Sequence, residues 1–293
     1  MDIKNHNINR KKRVVRKRWN TAVLIALFVG ILLTVFRYFE FVSKTVYEES
    51  VSHLTEIFHQ SDNMLSELTN KNLTYLHIWG EYLQNTSDES EIREYIEKAQ
   101  EDAGFLDFYF LSADGNYKMV TGETGYLGLQ ENIEDEIRQG NDIVTNAALP
   151  GKSQLLVFAT PKPHGNYQGF EYDAIAITYE NSDIVNVLNI SAFNGNAQSY
   201  VVHPDGRVVV DHSSESWGEV YNFFGILREH SNMSEKEILK LSEEFKEGHT
   251  DAMLINLDGE DYYLVYEKSK PQDWIFLGLV QADIVNEIGR AHV

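Results

Sequence analysis

The sequence predicts an α+β chain in which one long N-terminal helix leads into two consecutive modules, each an antiparallel sheet with packed helices. Three observations predict it. Residues Tyr47–Trp79 repeat apolar positions in threes and fours with no Pro or Gly. A strand–turn–strand pattern occurs at Tyr109–Tyr117 and again at Tyr200–Val208, with Tyr five residues before Asp-Gly in both. The tetrapeptide Asp-Ile-Val-Asn stands at 183–186 and at 283–286, each time after a run that reads as a closing strand.

The N-terminus is organised by charge. Residues 1–18 hold eight Lys/Arg against one acid, a net of +7, whereas the rest of the chain carries 17 basic and 44 acidic residues, a net of −27. Between them Trp19–Phe36 is free of charge. At about 1.5 Å per residue a helix of this length reaches roughly 27 Å, close to the hydrocarbon thickness of a bilayer. A transmembrane helix is therefore expected over 19–38, with the basic tail 1–18 cytoplasmic and the acidic bulk outside. Trp19, Tyr38 and Phe39 sit where interfacial aromatics belong, and Arg37 can snorkel. A cleaved signal peptide shares the basic start, but no small-x-small cleavage site precedes Arg37.

About 250 residues follow, enough for one large domain or two modest ones. The chain has no Cys, which excludes disulfides, thiolate metal sites and Cys nucleophiles and fits a bacterial exterior domain. The acidity argues against nucleic acid as a partner.

The stalk expected over 39–84 carries a seam of Tyr47, Val51, Leu54, Phe58, Ser61, Leu65, Leu68, Asn72, Tyr75 and Trp79. Such a heptad spacing suits a homodimer, or a helix that covers a core on one side. The first module is expected over 85–190 and the second over 191–287. Ser234-Glu235-Lys236-Glu237 is a capping box for a helix that Gly248 ends. Met253–Tyr266, with Asp258-Gly259 at its centre, reads as a hairpin. Asp183 and Asp283 are expected to cap the helices that leave the two sheets.

Taken together, the membrane anchor, the stalk and the tandem modules resemble the double Cache (tandem PAS-like) extracytoplasmic sensor domains of bacterial signalling proteins. The hairpin Tyr200–Val210, Tyr221-Asn222-Phe223-Phe224 and Asp273–Val280 look particularly like those of Firmicutes sensor histidine kinases and diguanylate cyclases. The resemblance covers about residues 40–287. It implies a small-molecule ligand in the membrane-distal module and a response carried by the stalk or a second membrane helix. The Tyr-x4-Arg-x-Trp-Tyr pattern of amino-acid-binding members is absent. Candidate ligand residues on the distal strands are Tyr109, Phe158, Thr160, Tyr172 and Asp173, aromatics with a few polar groups. Each is equally an ordinary sheet residue, and Asp173 suits a cationic or amine group.

No catalytic motif stands out: there is no Gly-x-Ser-x-Gly elbow, phosphate loop or His-Glu-x-x-His. No cofactor and no metal are expected. His53 and His59 lie six apart and point to different helix faces. His203, Asp205, Asp211 and His212 bracket a hairpin but read as turn and solvated residues. The acid clusters 131–136 and 243–247 read as exposed helix faces. The last six residues, Ile-Gly-Arg-Ala-His-Val at 288–293, look like a translated sequencing adapter, so a longer parent is expected. The expected function is the input portion of a bacterial plasma-membrane receptor, ahead of a histidine kinase. The alternatives are a diguanylate cyclase or chemoreceptor input domain, a ligand-free adhesion or spacer module, and a tethered hydrolase.

Overall fold

The computed structural model describes residues 2–129, 133–148, 154–188, 197–212, 222–269 and 273–284. Within these, the side chains of 2–26, 39–40, 43, 46–51, 53–54, 58, 148, 163–164, 186–188, 197 and 212 lie outside the description. The chain forms two compact units, residues 1–51 with 283–293, and residues 52–282.

In the first unit the helix α1 (Asp2–Asn85) begins. Every residue from 27 to 38 is exposed, and the run includes Leu27, Phe28, Ile31, Leu32, Leu33 and Phe36. Among the described residues no helix is long and apolar enough to cross a membrane. The expected span 19–38 is described only from Leu27 onward in its side chains, the side chains of the basic tail lie outside the description, and Ile288–Val293 lie outside it altogether.

The second unit holds the rest of α1 and two sheets. The first sheet comprises β1 (Asp107–Leu111), β2 (Asn116–Met119), β3 (Thr124–Tyr126), β4 (Gly128–Leu129), β5 (Ile143–Ala148), β6 (Leu155–Tyr167) and β7 (Phe170–Glu180). Their order is β3-β2-β1-β7-β6-β5-β4, and every pairing is antiparallel. Helix α2 (Glu89–Ala103) precedes it, started by the Asp88 carboxylate on the amides of Ser90 and Glu91 and ended by Gly104 at φ 74°. Helix α3 (Glu134–Gln139) lies between β4 and β5, and α4 (Asn181–Leu188) follows β7. Asp183 sits in the first turn of α4 rather than capping it, which still places an acid at the positive end of the helix.

The second sheet comprises β8 (Ala197–Val202), β9 (Val208–His212), β10 (Asp251–Leu257), β11 (Glu260–Lys268) and β12 (Ile275–Gln281), in the order β10-β11-β12-β8-β9. Counted within each module this is the order of β5-β6-β7-β1-β2, so the repeated sequence pattern is a repeated topology. Helices α5 (Phe223–His230) and α6 (Glu235–Glu247) cover one face. The capping box of Ser234 and Glu237 forms, and Gly248 closes α6 at φ 72°. Asp258 (φ 51°) and Gly259 (φ 92°) make the two-residue turn between β10 and β11, the left-handed pair that a type I′ hairpin requires.

Helix α1 covers the other face of the distal sheet. Trp79 packs against Phe105 and Phe108, and the Tyr179 hydroxyl donates to Asn72 Oδ1 at 3.0 Å. Burial pushes the Tyr179 phenol up to about 12. Ser61, Leu65, Asn72 and Trp79 of the expected seam are thus buried within the chain. Tyr47, Val51, Leu54 and Phe58 lie outside the described side chains. Lower on α1, Asp62 accepts a hydrogen bond from Ser269 Oγ at 2.5 Å. Three amides of the distal module bind the edge strand β9. Asn146 Nδ2 donates to Val209 O (3.0 Å), Gln154 Nε2 to Val208 O (2.9 Å), and Asn181 pairs both ways with the Asp211 backbone (2.7 and 3.0 Å). An edge strand left open invites foreign pairing; here side chains occupy it.

Candidate functional site

The two modules present the same sheet face differently. In the distal module Tyr109 pairs across the strands with Ala176, and Ala176 with Ala159. In the proximal module Tyr200 pairs with Leu277, and Leu277 with Tyr266. Tyr-Ala-Ala therefore stands where the other sheet has Tyr-Leu-Tyr. The proximal face is further filled by Phe223, Phe224 and Phe245, all buried in one cluster with Leu264 and Leu279. On the distal face four alanines, Ala147, Ala159, Ala174 and Ala176, stand among Tyr109, Leu111, Tyr117, Leu127, Ile143 and Val157, with Ile133 and Ile137 from the α3 region against them.

Beside this alanine-lined face lies a cavity of about 600 Å³, within the range of small-molecule sites. Its walls are Ala113, the α3 residues Glu134, Ile137, Arg138 and Gln139, then Gly140, Pro161, Lys162 and Asp173. Both charge signs are present. Glu134 and Arg138 form an ion pair one turn apart. Asp173 Oδ2 accepts the Ala113 amide at 3.0 Å. The hairpin that carries Ala113 is shaped by Asp114, which accepts from Ser112 Oγ and from the amide and side chain of Asn116. Those hydrogen bonds, the Ser112 one foremost, hold the Asp114 carboxyl below its ordinary value. Gly115 takes φ 86° to complete the turn.

Lys162 connects this cavity to α1. Its chain lies across Gly80, where a β-carbon would stand 1.9 Å from Lys162 Cε. Two residues back, Thr160 Oγ1 donates to Asp142 Oδ1 (2.7 Å), and Asp142 Oδ2 lies 2.9 Å from His77 Nε2 on α1. A cavity wall thus grips the long helix.

The five residues singled out from the sequence are not brought together. Asp173 lines the cavity. Tyr109 lies on the alanine face, fully buried, with its hydroxyl donating to Asp107 Oδ2 at 3.1 Å and its phenol pushed up by burial. Phe158 and Thr160 point to the opposite face, because strand side chains alternate: Phe158 meets Tyr179, and Thr160 holds Asp142. Tyr172 packs on Phe110 and across Gly165. The residues missed are Ala113, Lys162 and the α3 helix. Glu134 of the supposedly solvated acid cluster is a wall residue, and only the isolated Ile133 and Ile137 in that acidic stretch hinted at a packed face. Among the described residues no group of three or more His, Asp or Glu could hold a metal ion. Asp205 is instead engaged with Arg207 at 2.7 Å, and Asp211 with Asn181.

No protein-family profile matches the chain, and no curated protein does. Solved structures share its fold. The extracellular domain of the putative histidine kinase mmHK1S-Z3 superposes with TM-score 0.58 at 13% identity over 85% of this chain and 99% of that one. The ligand-binding domain of Mlp24 with asparagine gives TM-score 0.56 at 16% identity, covering 85% and 99%. The sensory domain of the Campylobacter jejuni chemoreceptor Tlp3 with isoleucine bound gives 0.52 at 12% identity, covering 84% and 98%. The chain therefore has the fold of the extracellular sensor domains of histidine kinases and chemoreceptors.

Proposed function

We propose that this chain is the extracytoplasmic input domain of a bacterial membrane receptor and that its distal module binds a small molecule. The observation that carries the reading is the contrast between modules: the distal sheet has Ala176 and Ala159 where the proximal sheet has Leu277 and Tyr266, and a two-signed cavity lies beside the distal face. The structural neighbours, which include domains with isoleucine or asparagine bound, support a ligand-binding role. Ligand charges meeting Asp173 and Lys162 would bias α1, since Lys162 also lies on Gly80 of that helix. A ligand shifts such an equilibrium only by its differential affinity for the two arrangements.

The membrane anchor over 19–38 belongs to this proposal. The basic tail, the uncharged run and the outward-facing apolar residues 27–36 support it. Stalk dimerisation through the seam of residues 47–79 belongs to it as well, although Ser61, Leu65, Asn72 and Trp79 of that seam are buried within the chain. The proposed output is a histidine kinase, with a diguanylate cyclase or chemoreceptor as the second reading.

A thermal-shift screen of the full chain in detergent, against amino acids, organic acids, amines, purines and sugars, tests the reading. A bound compound raises the melting temperature by mass action. Asp173→Ala should keep the fold and weaken the compound that binds. Unchanged affinity in folded Asp173→Ala protein removes the distal cavity from the account.

A further inference from the structure

A second cleft, of about 330 Å³, lies between α1 and α2 and is lined by Tyr75, Trp79, Tyr95, Lys98, Ala99, Asp102 and Ala103. Three aromatic rings line it. Tyr75 and Trp79 stack at 5.6 Å with an interplanar angle of 25°, and Tyr95 is held in place by stacking on Tyr82 at 3.9 Å. Trp79 is fixed from behind by Phe105 and Phe108. The floor is Ala99, a small residue on the packed side of α2. Rigid rings around a small-residue floor make a slot for a planar group rather than a surface that collapses on itself.

The cleft wall carries both Lys98 and Asp102, and the helix behind it is net negative. Helix α2 carries six acids, Glu89, Glu91, Glu94, Glu97, Glu101 and Asp102, against Arg93 and Lys98. Asp102 stands on the cleft wall. The aromatic wall already receives one cation from outside, since Lys71 Nζ lies 5.6 Å from the centre of the Tyr75 ring. We infer that the α1–α2 cleft is a second small-molecule site, distinct from the distal cavity, that takes a planar aromatic ammonium compound, its ring against Tyr75, Trp79 and Tyr95 and its ammonium toward Asp102. A ligand there touches the long helix directly. The inference does not depend on what the distal cavity binds.

Calorimetric titration of the full chain in detergent with three probes tests it. Tryptamine supplies ring and cation, indole-3-acetate the same ring with a negative charge, and choline a cation without a ring. Tryptamine should bind about tenfold more tightly than either of the others, the size expected when stacking or charge pairing is withdrawn. Ala99→Leu fills the floor and should cost tryptamine about tenfold or more in affinity; Ala103→Leu, at the rim, serves if the first variant fails to fold. Asp102→Asn should weaken tryptamine by about threefold, as an exposed ion pair does. Asp173→Ala should leave unchanged the tryptamine binding that Ala99→Leu removes. The assignment is overturned if tryptamine does not bind the folded chain, if indole-3-acetate or choline binds equally well, if binding survives the filled cleft, or if Asp173→Ala abolishes it.

Discussion

Gly80→Ala gives an unusual combination of expected effects. Gly80 is a buried position in the interior of α1, and a β-carbon there would lie 1.9 Å from Cε and 2.7 Å from Cδ and Nζ of Lys162. No backbone atom is among those neighbours; they are the far end of a flexible chain, so Lys162 can swing away at small cost. Against that, alanine replaces glycine in a helix, a gain of about 1 kcal/mol. For a unit of this size about 1 kcal/mol corresponds to roughly 2–4 °C in melting temperature. The variant should therefore melt at the wild-type temperature or a few degrees above it, while compounds that stabilise the wild type through the distal cavity should stabilise it less, because a charged wall residue has moved. Circular-dichroism melts of the full chain, with and without such a compound, read both effects. A fall of several degrees in the unliganded melt would show that Lys162 is packed rigidly on α1. An undiminished ligand shift would show that Lys162 is no part of the site. The first result refutes the expectation that Lys162 yields, and the second refutes the proposed link between cavity and helix.

Other positions make simpler demands. Asn181→Ala removes two hydrogen bonds to the β9 edge and should destabilise the chain by about 1–3 kcal/mol, measured by denaturant titration; a loss below about 0.5 kcal/mol would mean that the edge is held otherwise. Phe245→Ala, which empties a fully buried position between Phe224 and Tyr266, should cost about 3–5 kcal/mol on the same assay. Tyr266 donates to Glu244 at 2.5 Å, and that hydrogen bond holds the Glu244 carboxyl below its ordinary value of 4.5. A depressed carboxyl contributes stability above its unfolded value and loses it as pH falls through the folded one. The stability difference between wild type and Tyr266→Phe should thus be constant above about pH 4.5 and shrink below it; a difference that grows on acidification contradicts the pairing.

Local turn and cap chemistry made much of the fold legible. Asp258-Gly259, Asp114-Gly115 and the Ser234 capping box specify backbone geometry through their own atoms, and each appears where the sequence indicates it. The duplicated module was readable because a closing strand followed by Asp-Ile-Val-Asn occurs twice. The Gln168-Gly169 turn, with φ 50° and 79°, was missed because Gln is not a customary left-handed residue. The cavity was harder still. Its residues come from four separate segments, and which face of β6 and β7 looks toward it depends on register, since one step moves every side chain across the sheet. Phe158 and Thr160 were chosen for their chemistry alone and fall on the α1 side. The alanines on the other face carry no chemistry to notice, and only the comparison with Leu277 and Tyr266 in the second sheet gives them meaning.

The claim at the centre of the account is that the distal module, not the proximal one, receives the ligand. Hydrogen–deuterium exchange of the full chain, with and without whichever screened compound raises its melting temperature, tests it most directly. Protection is predicted over the turn at Ala113, helix α3, Pro161–Lys162 and Asp173, with a weaker change in α1 near Gly80. Protection confined to β8–β12, α5 and α6 would contradict it.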